Sequence, residues 1–403
     1  MTDHAREYQD AEARRSPIVL FLVVTFLFWV TLYLYVPTLP TYVKARSSQL
    51  STVGLVLSMY GLFMAAARLP MGILGDVLGW GKPLIAVGVL FAAAGAFVMG
   101  RGSSLGALAA GRALTGVSAG TWVILTGVFS SFFAFDQAIY ASSLLFFAAS
   151  FGRMISTSLT GSLNRIGGYP LAFYCAALTG LVAVILSLLV TEQRRPPQKV
   201  SLRSIGLLMV RKDVILPTVI SILLHYADWA VTFGFFPILA QEMGVSDVLK
   251  SVLISCNIAA ITAASLMNAL FLKGVSHRFL LMGGAFLFFV GMQLIALSPG
   301  IAFLFLGTVS MGFAFGTVYP ILLGMSIQKV DRAQRTSAMG IHQSFYAIGM
   351  FTGPWLSGIA ADRFGIRPTF MITSLSYVAL VYAVIYLLFR KKDEKVTGPD
   401  DTP

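Results

Sequence analysis

The feature that most constrains this chain is the recurrence of uninterrupted apolar runs about as long as a lipid bilayer is thick. The hydrocarbon core of a bilayer spans about 30 Å, which a helix crosses with roughly 20 apolar residues. Runs such as 18–36 and 178–190 show no apolar/polar alternation, whereas barrel strands alternate over segments of about ten residues. In lipid every backbone polar group needs an internal partner, so unbroken apolar runs mean helices. Composition agrees: 57% of residues are hydrophobic and 11% charged, against about 25% charged in soluble domains. An all-α integral membrane protein is the expected class.

Twelve spans are expected, at about 17–39, 50–74, 82–100, 104–132, 136–160, 169–190, 213–240, 248–272, 278–297, 301–326, 336–360 and 368–389. The first run is longer than a signal-peptide core and is followed by no small-residue cleavage site, so it reads as a retained span. An even number puts both termini on one side. Most lysines and arginines, including Arg14, Arg15, Lys82, Arg194, Arg195, Lys199, Arg211 and Lys212, fall on the side that holds the termini. Basic loops mark the cytoplasmic face, so both termini are expected in the cytoplasm of a multi-pass protein of the inner (plasma) membrane. The polar stretch around Pro196 and Pro197 divides the chain. The expected organisation is a cytoplasmic segment 1–16, a six-helix bundle 17–190, a linker 191–212, a second six-helix bundle 213–389 and a tail 390–403.

The two halves repeat. A shift of 197 positions superposes Pro40 on Pro237, Gly152 on Gly349, Gly161 on Gly358 and Phe173 on Phe370. A shift of 196 superposes Gly111, Gly116 and Gly120 on Gly307, Gly312 and Gly316. Parallel six-helix repeats are a transporter architecture. The small residues Gly116, Gly120, Gly349, Gly353 and Gly358, with Pro354, are expected at helix contacts, where they permit close backbone approach.

Ionisable residues inside spans cost at least ~2.5–3.5 kcal/mol on insertion scales and are functional candidates by default. Asp228 is the acid placed well inside a span, in the seventh. His225, Asp228, Trp229 and Thr232 follow i, i+3, i+4, i+7 spacing and share a helix face. Asp228 reads either as a carrier of a coupling proton or a substrate cation, or as one member of a structural pair with an arginine. His225 reads as a packing histidine or a relay. Arg112, Arg153 and Arg68 are the membrane arginines, Arg68 close enough to one end to snorkel. Tyr35, Trp122, Trp229 and Tyr319 lie on the first, fourth, seventh and tenth spans; aromatic faces bind apolar bodies and cations. Asn257, Gln293, His342 and Gln343 are further candidates for a solute.

The loop after the second span reads Gly72-x-x-Gly75-Asp76-x-x-Gly79-Trp80-Gly81-Lys82, the fourth span carries Arg112-x-x-x-Gly116, and the eleventh reads Gly349-x-x-x-Gly353-Pro354-x-x-x-Gly358. These resemble motifs of the major facilitator superfamily, over about residues 17 to 389. Val77 and Trp80 stand where that family usually has basic residues. Its glycine-proline motif normally sits on the fifth span, where this chain has Ser156-Thr157. The resemblance implies a twelve-helix major facilitator fold working by alternating access. The first, fourth, seventh and tenth spans would line a cavity. Gly72, Asp76 and Gly79 would form a conformational latch, and Arg112 would assist proton exchange or contact substrate.

Other chemistries lack their signatures. There is no P-loop, HExxH or GxSxG. His4, His225, His277 and His342 are scattered, and Cys175 and Cys256 make no framework. The charge of +12 is distributed between spans rather than gathered on a face for nucleic acid. The expected function is proton-coupled export of an amphipathic small molecule or drug by a non-enzymatic antiporter without cofactors or metals. Its partners are the solute, protons and the bilayer, and one monomer contains both halves. The alternatives are a transporter of an anionic metabolite, siderophore or lipid-like molecule, and a non-transporting receptor or sensor.

Overall fold

The computed structural model describes residues 3–133, 137–192, 194, 202–271, 274–330 and 334–393, and their regular structure is helical throughout. The first half contains α1 (Asp3–Tyr33), α2 (Leu39–Lys44), α3 (Leu50–Leu78), α4 (Lys82–Arg101), α5 (Leu105–Gly120), α6 (Trp122–Ser130) and α7 (Ala138–Leu189). Between the halves lies α8 (Leu202–Val210). The second half contains α9 (Lys212–Ala230), a π-helical turn Val231–Phe235, α10 (Phe236–Glu242), α11 (Asp247–Phe271), α12 (His277–Ala296), α13 (Ile301–Gln328), α14 (Arg335–Phe364) and α15 (Ile366–Asp393).

Among the described residues nine helical stretches are long and apolar enough to cross a membrane, and Pro17–Tyr33 is a shorter apolar helix. One of the nine, Tyr140–Leu189, has 50 residues and is broken at Gly167 and Gly168, whose dihedrals are non-helical. It therefore has the length of two crossings. With α1 and the more polar α14, the helices make up the expected twelve. α14 falls below the apolar threshold because it carries His342, Gln343, Ser344 and Ser357 inward, all buried.

Helix α1 starts at Asp3, well before the apolar run, in a stretch rich in Ala, Glu and Arg, which are strong helix formers. The expected linker includes α8, while residues 193 and 195–201, with Arg195, Pro196, Pro197 and Lys199, lie outside the described residues, as does 394–403 of the expected tail.

Within the first half α1 and α4 pack on α7, and α3 and α4 on α5. Within the second, α9 packs on α14, α11 and α12 on α13, and α12 on α15. Two seams join the halves, α3 along α14 and α7 along α11. The exterior is apolar, with Leu178, Ile185, Leu189, Phe279 and Leu306 exposed, as a lipid-facing surface must be.

The internal repeat is visible in the backbone. The first crossing loses its helix at 34–38 and the seventh becomes π-helical at 231–235, so the two irregularities are related by the shift of 197. Each is followed by a short helix with a proline in its first two positions, Pro40 and Pro237. Proline lacks an N–H and leaves an upstream carbonyl without its helical partner, so one chemical cause operates in both halves. Discontinuous helices of this kind flank binding sites in transporter folds.

Candidate functional site

Asp228 is 3% exposed, in the last turn of α9 before the π turn. Thr232 Oγ1 donates to its Oδ1 at 2.8 Å. The ion pairs between described residues are Arg211–Asp213 and Lys250–Asp247, so Asp228 is not paired with Arg68, Arg112 or Arg153. The structural-pair reading of Asp228 is thereby corrected. A carboxylate without a counter-charge at this depth is expensive in its ionised form.

A continuous path of rings crosses the interface between the bundles beside it. Trp122 meets Trp29 at 5.3 Å and Trp29 meets Tyr33 at 5.6 Å, all in the first half. Tyr33 then meets Phe233 of the π turn at 6.1 Å, and Phe233 meets Trp229 at 5.2 Å. Trp229 stacks on Tyr60 of α3, with centroids 5.1 Å apart and planes 11° from parallel. Arg112 lies over the Tyr60 ring at 4.5 Å, and Arg153 over Trp29 at 4.8 Å. Such contacts are worth about 2 kcal/mol or more when desolvated, comparable to the insertion cost of an arginine on translocon scales.

A second cluster lies on the C-terminal half. His225 stacks on Tyr346 at 4.0 Å and meets Phe315 and Tyr319 edge-on. Its Nδ1–H donates to the Ser221 carbonyl at 2.8 Å, which leaves Nε2 as the acceptor of the neutral ring. Arg68 is 2% exposed and does not snorkel. It donates to the Tyr346 hydroxyl at 2.6 Å and to the Ala119 carbonyl at 3.2 Å, so it connects the halves.

Other expected residues have different places. The Tyr35 ring packs on Phe173 at 5.0 Å inside the first half, and its hydroxyl faces Arg112. Asn257 donates to the Thr308 carbonyl, Gln293 to Ser374, and His342 bonds Thr218 and Ser221, so these polar groups join helices. Tyr60 and Tyr346 were not singled out from sequence, although Tyr60 stands two turns from Arg68 on one face of α3, a spacing that could have found it.

The packing residues divide between two kinds of contact. Gly116 meets the Tyr60 carbonyl and Gly120 meets Ala67, within the first half. Gly349 and Gly353 meet the carbonyls of Ile222 and Tyr226, within the second. Gly358 and Pro354 lie on the seam, at Leu50 and Gly54 of α3. A methyl group on Gly358 would fall 2.6 Å from the Leu50 carbonyl oxygen, and one on Gly161 of α7 would clash with the Asp247 carbonyl of α11. These two contacts are also related by the shift of 197.

Polar bonds close that same end of the bundle. The Asp362 carboxylate accepts from the backbone N–H groups of Leu50 and Ser51 at 2.6 and 2.9 Å. It thus caps α3 from the far end of α14, where free N–H groups and the helix dipole favour an anion. On the other seam Asn164 donates to Thr38 and to Asp247, and Thr157 bonds Ser255 at 2.7 Å.

At the opposite end, Gly72 of α3 lies beside Val123, Asp76 is exposed, and Gly79 ends the helix at φ 59°. That left-handed conformation explains a glycine there. Glu192 accepts from Gly81 N and Lys82 N at 3.0 and 2.6 Å, capping α4. Arg194 lies over Trp80 at 4.3 Å.

The Major Facilitator Superfamily model matches residues 21–224 and 218–402. Among solved structures, a point mutant of the nucleoside transporter NupG is 17% identical, with 92% of this chain and 99% of that one covered and a TM-score of 0.78. A bacterial homologue of the human lysosomal transporter Spinster, inward-facing and occupied, is 13% identical over 94% and 97%, with a TM-score of 0.77. The human organic anion transporter MFSD10 (TETRAN) is 14% identical over 92% and 99%, with a TM-score of 0.70. At these identities the likeness is one of fold. No curated protein sequence matches.

Proposed function

The chain belongs to the Major Facilitator Superfamily, and on that premise we propose that this multi-pass membrane transporter performs proton-coupled export of an amphipathic small molecule by alternating access. The observation that carries the reading is Asp228: buried, without an ion pair, and bonded to Thr232 at the start of a π turn. A carboxyl in such a place is readily neutralised by a proton and poorly stabilised without one. π turns inside helices recur at functional sites. Because Thr232 belongs to that turn, a change in the charge of Asp228 acts directly on the most irregular part of the seventh crossing.

The two bundles, 17–190 and 213–389, are the bodies that move, with both termini cytoplasmic and a monomer as the working unit. The rings from Trp122 to Tyr60 form the wall against which an apolar body is held. Arg68, bonded to Tyr346 across the seam, couples the second cluster to the first. The Asp362 cap and the Gly161 and Gly358 contacts hold the extracytoplasmic end closed, the arrangement suited to receiving a cytoplasmic solute. Gly72, Asp76 and Gly79 act as the latch between the bundles on the cytoplasmic side.

The test is flux in everted vesicles with a panel of fluorescent amphipathic cations and acids under an imposed proton gradient. Gradient-dependent flux that an uncoupler abolishes supports the proposal. Binding without flux for every compound would leave the receptor reading instead.

A further inference from the structure

The Asp228 reading uses none of the charge on Arg112. That residue is 2% exposed and its Nε is buried without a hydrogen-bond partner. Among the described residues no carboxylate pairs with it. The Tyr35 hydroxyl is also buried and faces Arg112 and Thr115. Buried polar groups in native proteins are almost always satisfied, so a buried guanidinium with an unused N–H and no counter-charge marks a missing partner. Arg153 of α7 is half-buried and also lacks an acid. It donates to the Ala149 carbonyl at 3.4 Å and Ser150 at 3.2 Å on its own helix, and it faces the Tyr33 hydroxyl of α1. Tyr33 lies within electrostatic reach of both arginines.

We infer that Arg112, supported by Arg153, binds an anionic group on the transported molecule, with the planar apolar part of that molecule lying along the rings of Trp29, Tyr33 and Tyr60. The inference rests on the transporter reading and names its substrate class: an aromatic or otherwise planar acid bearing a carboxylate, sulfonate or phosphate. Guanidinium is suited to all three, because its fork of N–H donors matches two oxygens of an oxyanion at once. Tyr35 contributes a hydroxyl donor to the same group. Arg68 is not placed in this site, because Tyr346 and Ala119 hold both ends of its guanidinium fork and leave only Nε unused. Three arginines of the first half, Arg68, Arg112 and Arg153, against one acid of the second leave the centre with a positive excess. An incoming anion lowers that excess, and a cationic solute increases it.

The experiment is isothermal titration calorimetry on the full chain in lipid nanodiscs. The probes are 2-naphthoate, 2-naphthalenesulfonate and 2-naphthyl phosphate, with 2-naphthamide as the neutral counterpart and 2-naphthylmethylammonium as the cation. At least one acid is expected to bind tenfold or more tightly than the amide, and the cation more weakly than either. Arg112→Gln should erase the preference while leaving amide affinity within about twofold, which shows that the ring path is still formed. Arg112→Lys should retain part of the preference, and Arg153→Gln should reduce it less than Arg112→Gln. Equal binding of acid and amide, tightest binding of the cation, absence of binding by all three acids, or an acid preference that survives Arg112→Gln with Arg153→Gln would each overturn the inference. Flux in proteoliposomes is read separately. Acid-selective binding without flux sinks the transporter reading and spares the site, whereas flux without acid selectivity does the reverse.

Discussion

Trp229 lies flat on Tyr60, 5.1 Å between centroids and 11° between planes, and the stack joins α9 of one bundle to α3 of the other directly beside Asp228. In the proposed alternating-access cycle contacts across the bundles separate, so the stack would serve as both wall and gate. Aromatic pairs contribute about 0.5–1.5 kcal/mol beyond their buried area, enough to bias a gate and too little to lock it. Trp229→Ala is expected to raise the apparent KM for transport at least tenfold, whereas Tyr60→Phe, which keeps the ring, should change it less than threefold. A KM unchanged in Trp229→Ala would remove the ring path from the substrate site.

The cap on α3 gives a second prediction. Replacing an acidic cap by alanine costs about 0.5–2 kcal/mol, and a loss of about 1.4 kcal/mol shifts a two-state equilibrium tenfold. Asp362→Ala should therefore favour opening of that end, the extracytoplasmic one in the proposed orientation. Labelling of a Ser51→Cys reporter by an impermeant maleimide should speed up several-fold in the Asp362→Ala background. Equal labelling rates would show that the cap does not hold the gate.

The seam glycines supply a steric test. Gly358→Leu and Gly161→Leu place side chains against the backbone of the opposite bundle, at Leu50 and Asp247, and should reduce flux by roughly 90% or more in inserted protein. Gly283→Leu adds the same bulk where nothing lies within 4 Å and should leave flux unchanged. Overpacking of the kind made at the seam usually costs about 1–3 kcal/mol, so melting temperature measured in parallel separates a jammed cycle from a misfolded chain.

Much of the fold was legible because lipid imposes simple rules. Runs such as 18–36 favour helix in lipid, and this one is helical as far as Tyr33, while the Pro40–Pro237 match lies beside both backbone irregularities at one offset. The position of Asp228 was legible for the same reason, since an acid inside such a run is conspicuous. What could not be read were contacts between residues far apart in the chain. Asp362 caps a helix that begins 312 residues earlier and Glu192 one that begins 110 residues earlier, and no periodicity records either. Tyr60 and Tyr346 escaped notice because they lie on seam helices, whose inward faces are defined only once α3 crosses α14. Tyr35 was expected at the site as one of the aromatics of the first span. It lies in the interrupted segment 34–38, where helical spacing no longer applies, so its ring packs on Phe173 while its hydroxyl faces Arg112.

The central claim is that Asp228 carries the coupling proton, and the most direct measurement is proton-driven flux against substrate exchange in proteoliposomes, wild type beside Asp228→Asn. Asparagine keeps the size and the bond from Thr232 while removing the titrating group. The account predicts that the wild type concentrates substrate against its gradient and stops with an uncoupler. Asp228→Asn should lose that uphill flux and still exchange labelled for unlabelled substrate at a rate within about tenfold of wild type, a loss of no more than about 1.4 kcal/mol in the barrier. Uphill, uncoupler-sensitive flux retained in Asp228→Asn would contradict it.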